Sequence, residues 1–324
     1  DGVDNRQKTT YIWKPVAARE SVSQALVIAL PRQLARYDAE LGFVLLDDTL
    51  DLEPNDYQST LLPAQLTDYE RMGSRQTSYQ DHIAGLVHAY NSGIKEHVDY
   101  VSRKLEQEIG LPSGMVDQAI CLAIACHDLG KLNQQWQAWA LAWQKLLYEQ
   151  QRRPAYHLPN PLFCFAKTDH NYSREQKQLQ REVTPKRPHH ACESVAIGRT
   201  LIGASLGISK KGGEQYKPVL RAVCGAIARH HTSQASEYGA VMLDERARRA
   251  AEEALKKAQQ GQAWSYDLSR LNTYIPKSDD LAPETSSSPK LTRPGLEDGR
   301  SGELEALLYF VIVRALRLAD QRAG

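Results

Sequence analysis

The sequence predicts a mainly α-helical bundle, with a small mixed N-terminal extension and a mobile loop before its last helix. Three observations predict it. Apolar residues recur at helical spacing from Tyr79 onward, as in Ile83, Leu86, Val87 and Tyr90. An Ala-, Ile- and Leu-rich stretch runs from Ser113 to Cys126 and stops at the signature HDLGK, 127 to 131. A Pro-, Ser-, Asp- and Gly-rich segment, about 276 to 302, then separates a charged helix from an apolar final one.

Taken in order, residues 1 to 75 mix short apolar runs with Pro- and Asp-rich turns, and ARYD and LGFVLLDD within them read as short strands or loops. They form the expected N-terminal extension, and 76 to 324 the helical domain. From Tyr79 to Leu105 the pattern fits two helices, or one bent at Gly93, ending at Gly110 to Pro112. Ser113 is the expected cap of the next helix. Trp136, Trp139 and Trp143, spaced three and four apart, share one helical face. That stripe reads as core or packing surface before it reads as a base-stacking platform. The five prolines between 152 and 188 predict a long, partly structured connection. Helices follow over Ala191 to Leu206, Lys217 to His230, Leu243 to Gln260, the last largely solvated, and Glu303 to Arg322.

Composition narrows the function classes. Forty basic residues against 39 acidic ones leave a net charge of +1, so any nucleic acid would be held by a local patch. Five cysteines without a C-x-x-C pair, set in apolar stretches, suggest buried thiols in a reducing compartment. No apolar run is long enough for a membrane span and no signal-peptide layout opens the chain, so a cytoplasmic location without membrane contact is expected. A start at Asp rather than Met points to a fragment of a longer polypeptide.

The chemistry lies in six histidines and two aspartates: His82, His127 with Asp128, His189 with His190, His230 with His231, and Asp320. Neutral imidazole and carboxylate suit divalent transition metals such as Mn, Fe, Co, Ni or Zn, and the lack of a cysteine pair argues against a structural zinc site. A carboxylate can bridge two ions, and a two-metal site can clamp a phosphate and activate water for in-line attack. Lys131, one turn beyond Asp128, could neutralise a phosphate oxygen. A lone His-Asp dipeptide usually only caps or hydrogen-bonds, and a lone His-His pair is more often a surface accident. The full HDLGK run, whose glycine would let the chain turn sharply behind the carboxylate, is a stronger signal.

On these residues the chain resembles HD-superfamily phosphohydrolases, and more closely the HD nucleases attached to type I CRISPR interference helicases. AIACHDLGKLNQQWQ resembles their signature, an aromatic and a Gln following the Lys. RPHHACESV resembles the next histidine motif, His followed four residues later by Ser, which selects His190 over His189. AIARHHTS resembles the paired-histidine motif, and RALRLADQRA the closing helix in which Arg precedes the last metal-binding Asp. The resemblance spans roughly Tyr79 to Arg322. It implies one metal bound through His82, His127, Asp128 and Asp320, a second through Asp128, His190, His230 and His231, and Lys131 supporting the phosphate, with Asp128 and Lys131 the catalytic pair. For the first ligand, SYQDH at His82 and IKEH at His97 both fit, and the Ser-Tyr lead-in favours His82. His88, His157 and His170 match nothing and read as surface or loop residues.

The resemblance further implies a metal-dependent nuclease that cuts single-stranded DNA, with two divalent ions and, as partners, a superfamily 2 helicase and a surveillance complex with guide RNA. No phosphate-loop motif is present, so the helicase is absent from these residues. ARYDAELGFVLL looks like the tail that follows helicase lobes in fusions. Two other readings compete: a nucleotide phosphohydrolase or cyclic-nucleotide phosphodiesterase with the same metal chemistry, and a non-catalytic docking module presenting the Trp136, Trp139 and Trp143 face. Lys186 with Arg187, or Lys210 with Lys211, are candidate backbone contacts, each equally readable as a solvated charge cluster.

Overall fold

The computed structural model describes residues 35–38, 42–45, 74–150, 156–170, 173–208, 213–231, 238–276 and 300–323. Most of the expected N-terminal extension, residues 277–299 of the segment 276–302 expected to be mobile, and Lys210 and Lys211 lie outside the described residues; 300–302 belong to the last helix instead. Of the extension, ARYD and GFVL form an antiparallel pair, β1 (Ala35–Asp38) and β2 (Gly42–Leu45).

The rest is a helical bundle, in agreement with the predicted class. Strand β3 (Thr77–Ser78) leads into α1 (Tyr79–Ala89), which continues through a π-helical turn (Tyr90–Ile94) into α2 (Lys95–Ile109). The π-helical turn contains Gly93, whose missing Cβ makes room for the Arg322 guanidinium, 3.0 Å from where a Cβ would sit. Helix α3 (Met115–Cys126) is buried on nearly every side, as a helix apolar all round must be. Its expected cap is corrected. Gly114, with φ of +84°, occupies the cap position instead of Ser113, and the buried Glu106 of α2 accepts hydrogen bonds from the Gly114 and Val116 amides. A carboxylate from a neighbouring helix thereby satisfies the orphan N–H groups and complements the dipole.

After a 3-10 turn (Leu129–Leu132) comes α4 (Gln134–Glu149), followed by β4 (Phe165–Lys167), α5 (Arg174–Glu182), α6 (Ala191–Ser205), α7 (Lys217–Ala228), β5 (Val241–Met242), α8 (Ala247–Gln259), β6 (Tyr274–Ile275) and α9 (Arg300–Ala323). Helices α1, α3, α7 and α9 pack on one another, α6 covers α7, and α8 lies on α1 and α3. The expectation that α8 is largely solvated is overturned on one face. Ala247, Ala250, Ala251, Ala254, Leu255 and Ala258 are buried, and these small side chains let α8 approach α1 closely. Its charged residues occupy the other side.

The 156–170 strap is more ordered than its prolines predict, because α4 clamps it from beneath. Trp136, Trp139 and Trp143 are fully buried and form a second core with Phe165 and Val183. A docking surface built on them is therefore ruled out, and the packing reading holds. Two buried glutamines two turns apart on α4 hold the strap at two points. Gln137 accepts from the Phe165 amide and donates to the Phe165 and Lys131 carbonyls. Gln144 accepts from the Asp169 amide and donates to the Asp169 carboxylate, which also accepts from the Gln76 and His157 amides.

His170, expected to be a surface or loop residue, lies on the irregular strap but is buried there beside the Trp143 ring. Burial, helped by the nearby Arg187 and Lys177 charges, lowers its pKa to about 4. A histidine depressed from an unfolded value near 6.5 takes up its proton in the unfolded chain first, so stability declines as pH falls from about 6.5 to about 4. Thermal melts in chelator across that window should show His170→Gln declining less steeply than wild type; parallel curves would remove His170 from the account.

Candidate metal centre

Local structure fixes each side chain before any of them meets another. Ser78 caps α1, its Oγ accepting from the Asp81 amide, and Tyr79 ties the helix to α3 by donating its hydroxyl to the Ala125 carbonyl. This Ser-Tyr pair sets the rotation of α1 that points His82 inward. His127 is the residue just past α3, and its Nδ1 lies 2.9 Å from the Ile124 carbonyl. His230 repeats the device past α7, with Nδ1 on the Ile227 carbonyl at 2.6 Å. Each imidazole bonds to a carbonyl of a helix's last turn, which makes Nδ1 the protonated nitrogen and leaves Nε2 as a lone-pair donor.

The Nε2 atoms converge on Asp128. His82 and His127 lie 3.3 Å from Oδ2, with His190 3.2 Å and His230 3.8 Å from Oδ1. His82 Nε2 is also 3.6 Å from Asp320 Oδ1, and His190 Nε2 is 3.0 Å from His231 Nε2. The residues group as His82, His127 and Asp128 on one side and Asp128, His190, His230 and His231 on the other, with Asp128 common to both. Lys131 Nζ sits 2.7 Å from Asp128 Oδ2. His97, by contrast, is exposed on α2, and His189 is exposed just before α6. The structure thus brings His82, His127, Asp128, Lys131, His190, His230, His231 and Asp320 together and leaves His97 and His189 outside.

The electrostatics are those of a ligand set. Burial would raise the Asp128 carboxyl, but His127 and Lys131 hold it well below the usual range, so it is an anion. Burial lowers His82 to about 4 and His190, His230 and His231 to about 3, which keeps them neutral at physiological pH. Burial pulls His127 down too, yet the adjacent Asp128 outweighs it and the net shift is upward. His82 Nε2, His230 Nε2 and both Asp128 oxygens are buried without a hydrogen-bond partner; Lys131 meets Asp128 as an ion pair only. Buried polar atoms rarely go unpaired. Neutral imidazole nitrogens and a shared carboxylate aimed at common points fit divalent cations, and the donor set is N and O throughout.

Gly130 is needed for more than the expected sharp turn. Its role is close approach: a Cβ there would lie 2.1 Å from the His190 carbonyl oxygen. Ser194, four residues after His190, accepts from the Gly130 amide and donates to that same carbonyl. The His-x-x-x-Ser spacing is therefore the fastener between HDLGK and α6. The Arg of the closing-helix motif gains a definite role, and one further residue, Lys167, carried no sequence signal. Arg317, one turn before Asp320 on α9, donates to the Arg229 and His230 carbonyls and so locks the end of α7. Its place on the Asp320 face was a usable signal. Lys167 on β4 is half-buried, and the Asp320, Lys131 and Asp128 charges all reach it. Nothing local in the sequence marks it, because its approach depends on the strap's tertiary path.

A family model described as "Cas3, HD domain" matches residues 81–297, two-thirds of the chain. That span includes every clustered residue except Asp320, which α9 contributes. No curated protein and no solved structure matches the chain. Among the described residues no helix is long and apolar enough to cross a membrane.

Proposed function

Because the chain belongs to the Cas3 HD-domain family and so carries a type I CRISPR HD nuclease domain, we propose that it hydrolyses phosphodiesters of single-stranded DNA with two divalent metal ions, working beside a superfamily 2 helicase and a guide-RNA surveillance complex. The observation that carries this reading is the single carboxylate, Asp128, shared by two sets of imidazoles. His82, His127, Asp128 and Asp320 would hold one ion; Asp128, His190, His230 and His231 would hold the other. When bound, such ions polarise phosphoryl oxygens and activate water for in-line attack. The chain's own part is positional. Helix-end carbonyls aim His127 and His230, Ser194 and Gly130 fix His190, and Arg317 holds the backbone of His230. Lys131, now paired with Asp128, would neutralise a phosphate presented on that face.

Incubating the metal-loaded chain with labelled single-stranded and duplex oligonucleotides, and with cyclic and free nucleotides, tests the proposal. A ladder from the single strand is expected. Turnover confined to mononucleotides would replace it with the phosphohydrolase reading. The ligand assignment has its own test in metal content after dialysis. His82→Ala should lower affinity about 10-fold to 100-fold or more, the range for weakening a metal site's support, whereas His97→Ala should bind like wild type. Arg317→Gln, which removes only a positioning residue, should fall at the low end of that range and leave the number of ions unchanged.

A further inference from the structure

We propose that Lys167 is a second phosphate-binding residue, gripping a DNA-backbone phosphate next to the one held over Asp128, so that the site selects a polynucleotide strand over an isolated phosphoester. The inference rests on the nuclease reading and adds a residue to it.

Placement carries the argument. Lys167 lies on β4, directly opposite Thr77 of β3, whose neighbour Ser78 caps the helix bearing His82. On the other side, Gln137 ties Phe165 to the Lys131 carbonyl, and Gln144 fixes Asp169. Lys167 is thus midway between two buried clamps, on a strand bonded to both halves of the site. Its ammonium makes no hydrogen bond or ion pair with any described residue, although the Asp320 and Asp128 carboxylate charges reach it. Those carboxylates are engaged: Asp128 by Lys131 and four imidazoles, Asp320 by His82. A half-buried ammonium without a counter-ion is costly to keep, and an arriving anion removes that cost. Lys131, beside Asp128, serves the phosphate over that carboxylate, so the two cations are not redundant. A monoester presents one phosphate and needs only the first; a strand presents the next phosphate within a nucleotide's length.

Equilibrium binding separates this from a structural role. Anisotropy of a labelled thymidine oligonucleotide is measured with the full chain in chelator, over a series of salt concentrations. Lys167→Ala should raise Kd about 10-fold at low salt and flatten the log–log salt slope by about 0.7, the value for one lost single-strand phosphate contact. Lys167→Arg should restore the slope, and Lys256→Ala, on the solvent face of α8, should behave as wild type. Equal Kd and slope for Lys167→Ala and wild type, while wild type still cuts the oligonucleotide, would overturn this inference alone. A wild-type chain that neither binds nor cuts single-stranded DNA would overturn it together with the nuclease reading. A weakened Lys167→Ala that keeps the full slope, with Lys167→Arg equally weak, would mark a structural residue and also overturn it.

Discussion

Asp128→Ala is expected to abolish metal-dependent cleavage, lowering the rate by about 10³-fold or more, since a single charged or polar group in a preorganised site is worth about 10²–10³-fold and this one serves both ions. Among the described residues no other belongs to both ligand groups. The loss should appear first in metal content, with neither site loading fully, and only then in turnover. Folding should survive. The substitution leaves Lys131 buried without its carboxylate, which costs stability. It also removes a buried anion whose own desolvation is expensive, and the four neighbouring imidazoles are neutral or can become so. The variant should therefore melt cooperatively in chelator, near the metal-free wild type, and lose the rise in Tm that added metal gives wild type. At 100 times Kd that rise corresponds to about 2.7 kcal/mol. An Asp128→Ala chain that still binds two ions, or still cuts with metal added, would remove Asp128 from the centre of the mechanism.

How much of this was legible beforehand depends on the range of the interaction. Helix periods are local, so the bundle, α6, α7 and α9 could be read from apolar spacing to within a few residues. The site residues could be found because each sits at a helix end or on a helix face beside an unusual neighbour: Asp128 after His127, Ser194 four past His190, Arg317 three before Asp320. What failed was anything decided by a partner distant in sequence. Ser113 has the right chemistry for a cap, but Glu106 reached the α3 amides first. The proline-rich 156–170 strap has no local reason to be ordered, and Gln137 and Gln144 supply one from another helix. His170 and Lys167 ride on that strap, so their burial was equally hidden. Between His82 and His97 both offer an imidazole on a helix; what separates them in the structure is Tyr79 tethering α1 to α3, with His82, not His97, turned toward Asp128.

Gly130→Ala should be nearly as damaging as loss of Asp128, by a route that involves no chemistry at all. A Cβ at this position would meet the His190 carbonyl oxygen at 2.1 Å, and its carbonyl carbon and Cα at 2.8 Å. All three are backbone atoms at the first turn of α6, so no side-chain rotation can relieve the contact. Either the 3-10 turn after Asp128 or the start of α6 must retreat by about an ångström. Retreat breaks the Gly130 to Ser194 hydrogen bond at 2.8 Å. It also separates His190 Nε2 from Asp128, which now stand 3.2 Å apart. Overpacking of a rigid interior costs about 1–3 kcal/mol and occasionally more; with a buried hydrogen bond lost as well, about 3 kcal/mol or more is expected. That corresponds to a fall in Tm of about 6–12 °C for a domain of this size. Ser194→Ala isolates the smaller part, removing the fastener without the clash, and should cost only about 1–2 kcal/mol. The two variants also divide in metal affinity. Gly130→Ala should lose the ion that His190 helps to hold, while Ser194→Ala should bind both ions with reduced affinity for that one. A Gly130→Ala chain with wild-type Tm and full metal content would mean that α6 can move freely against HDLGK, and that the site is less rigidly assembled than these contacts require.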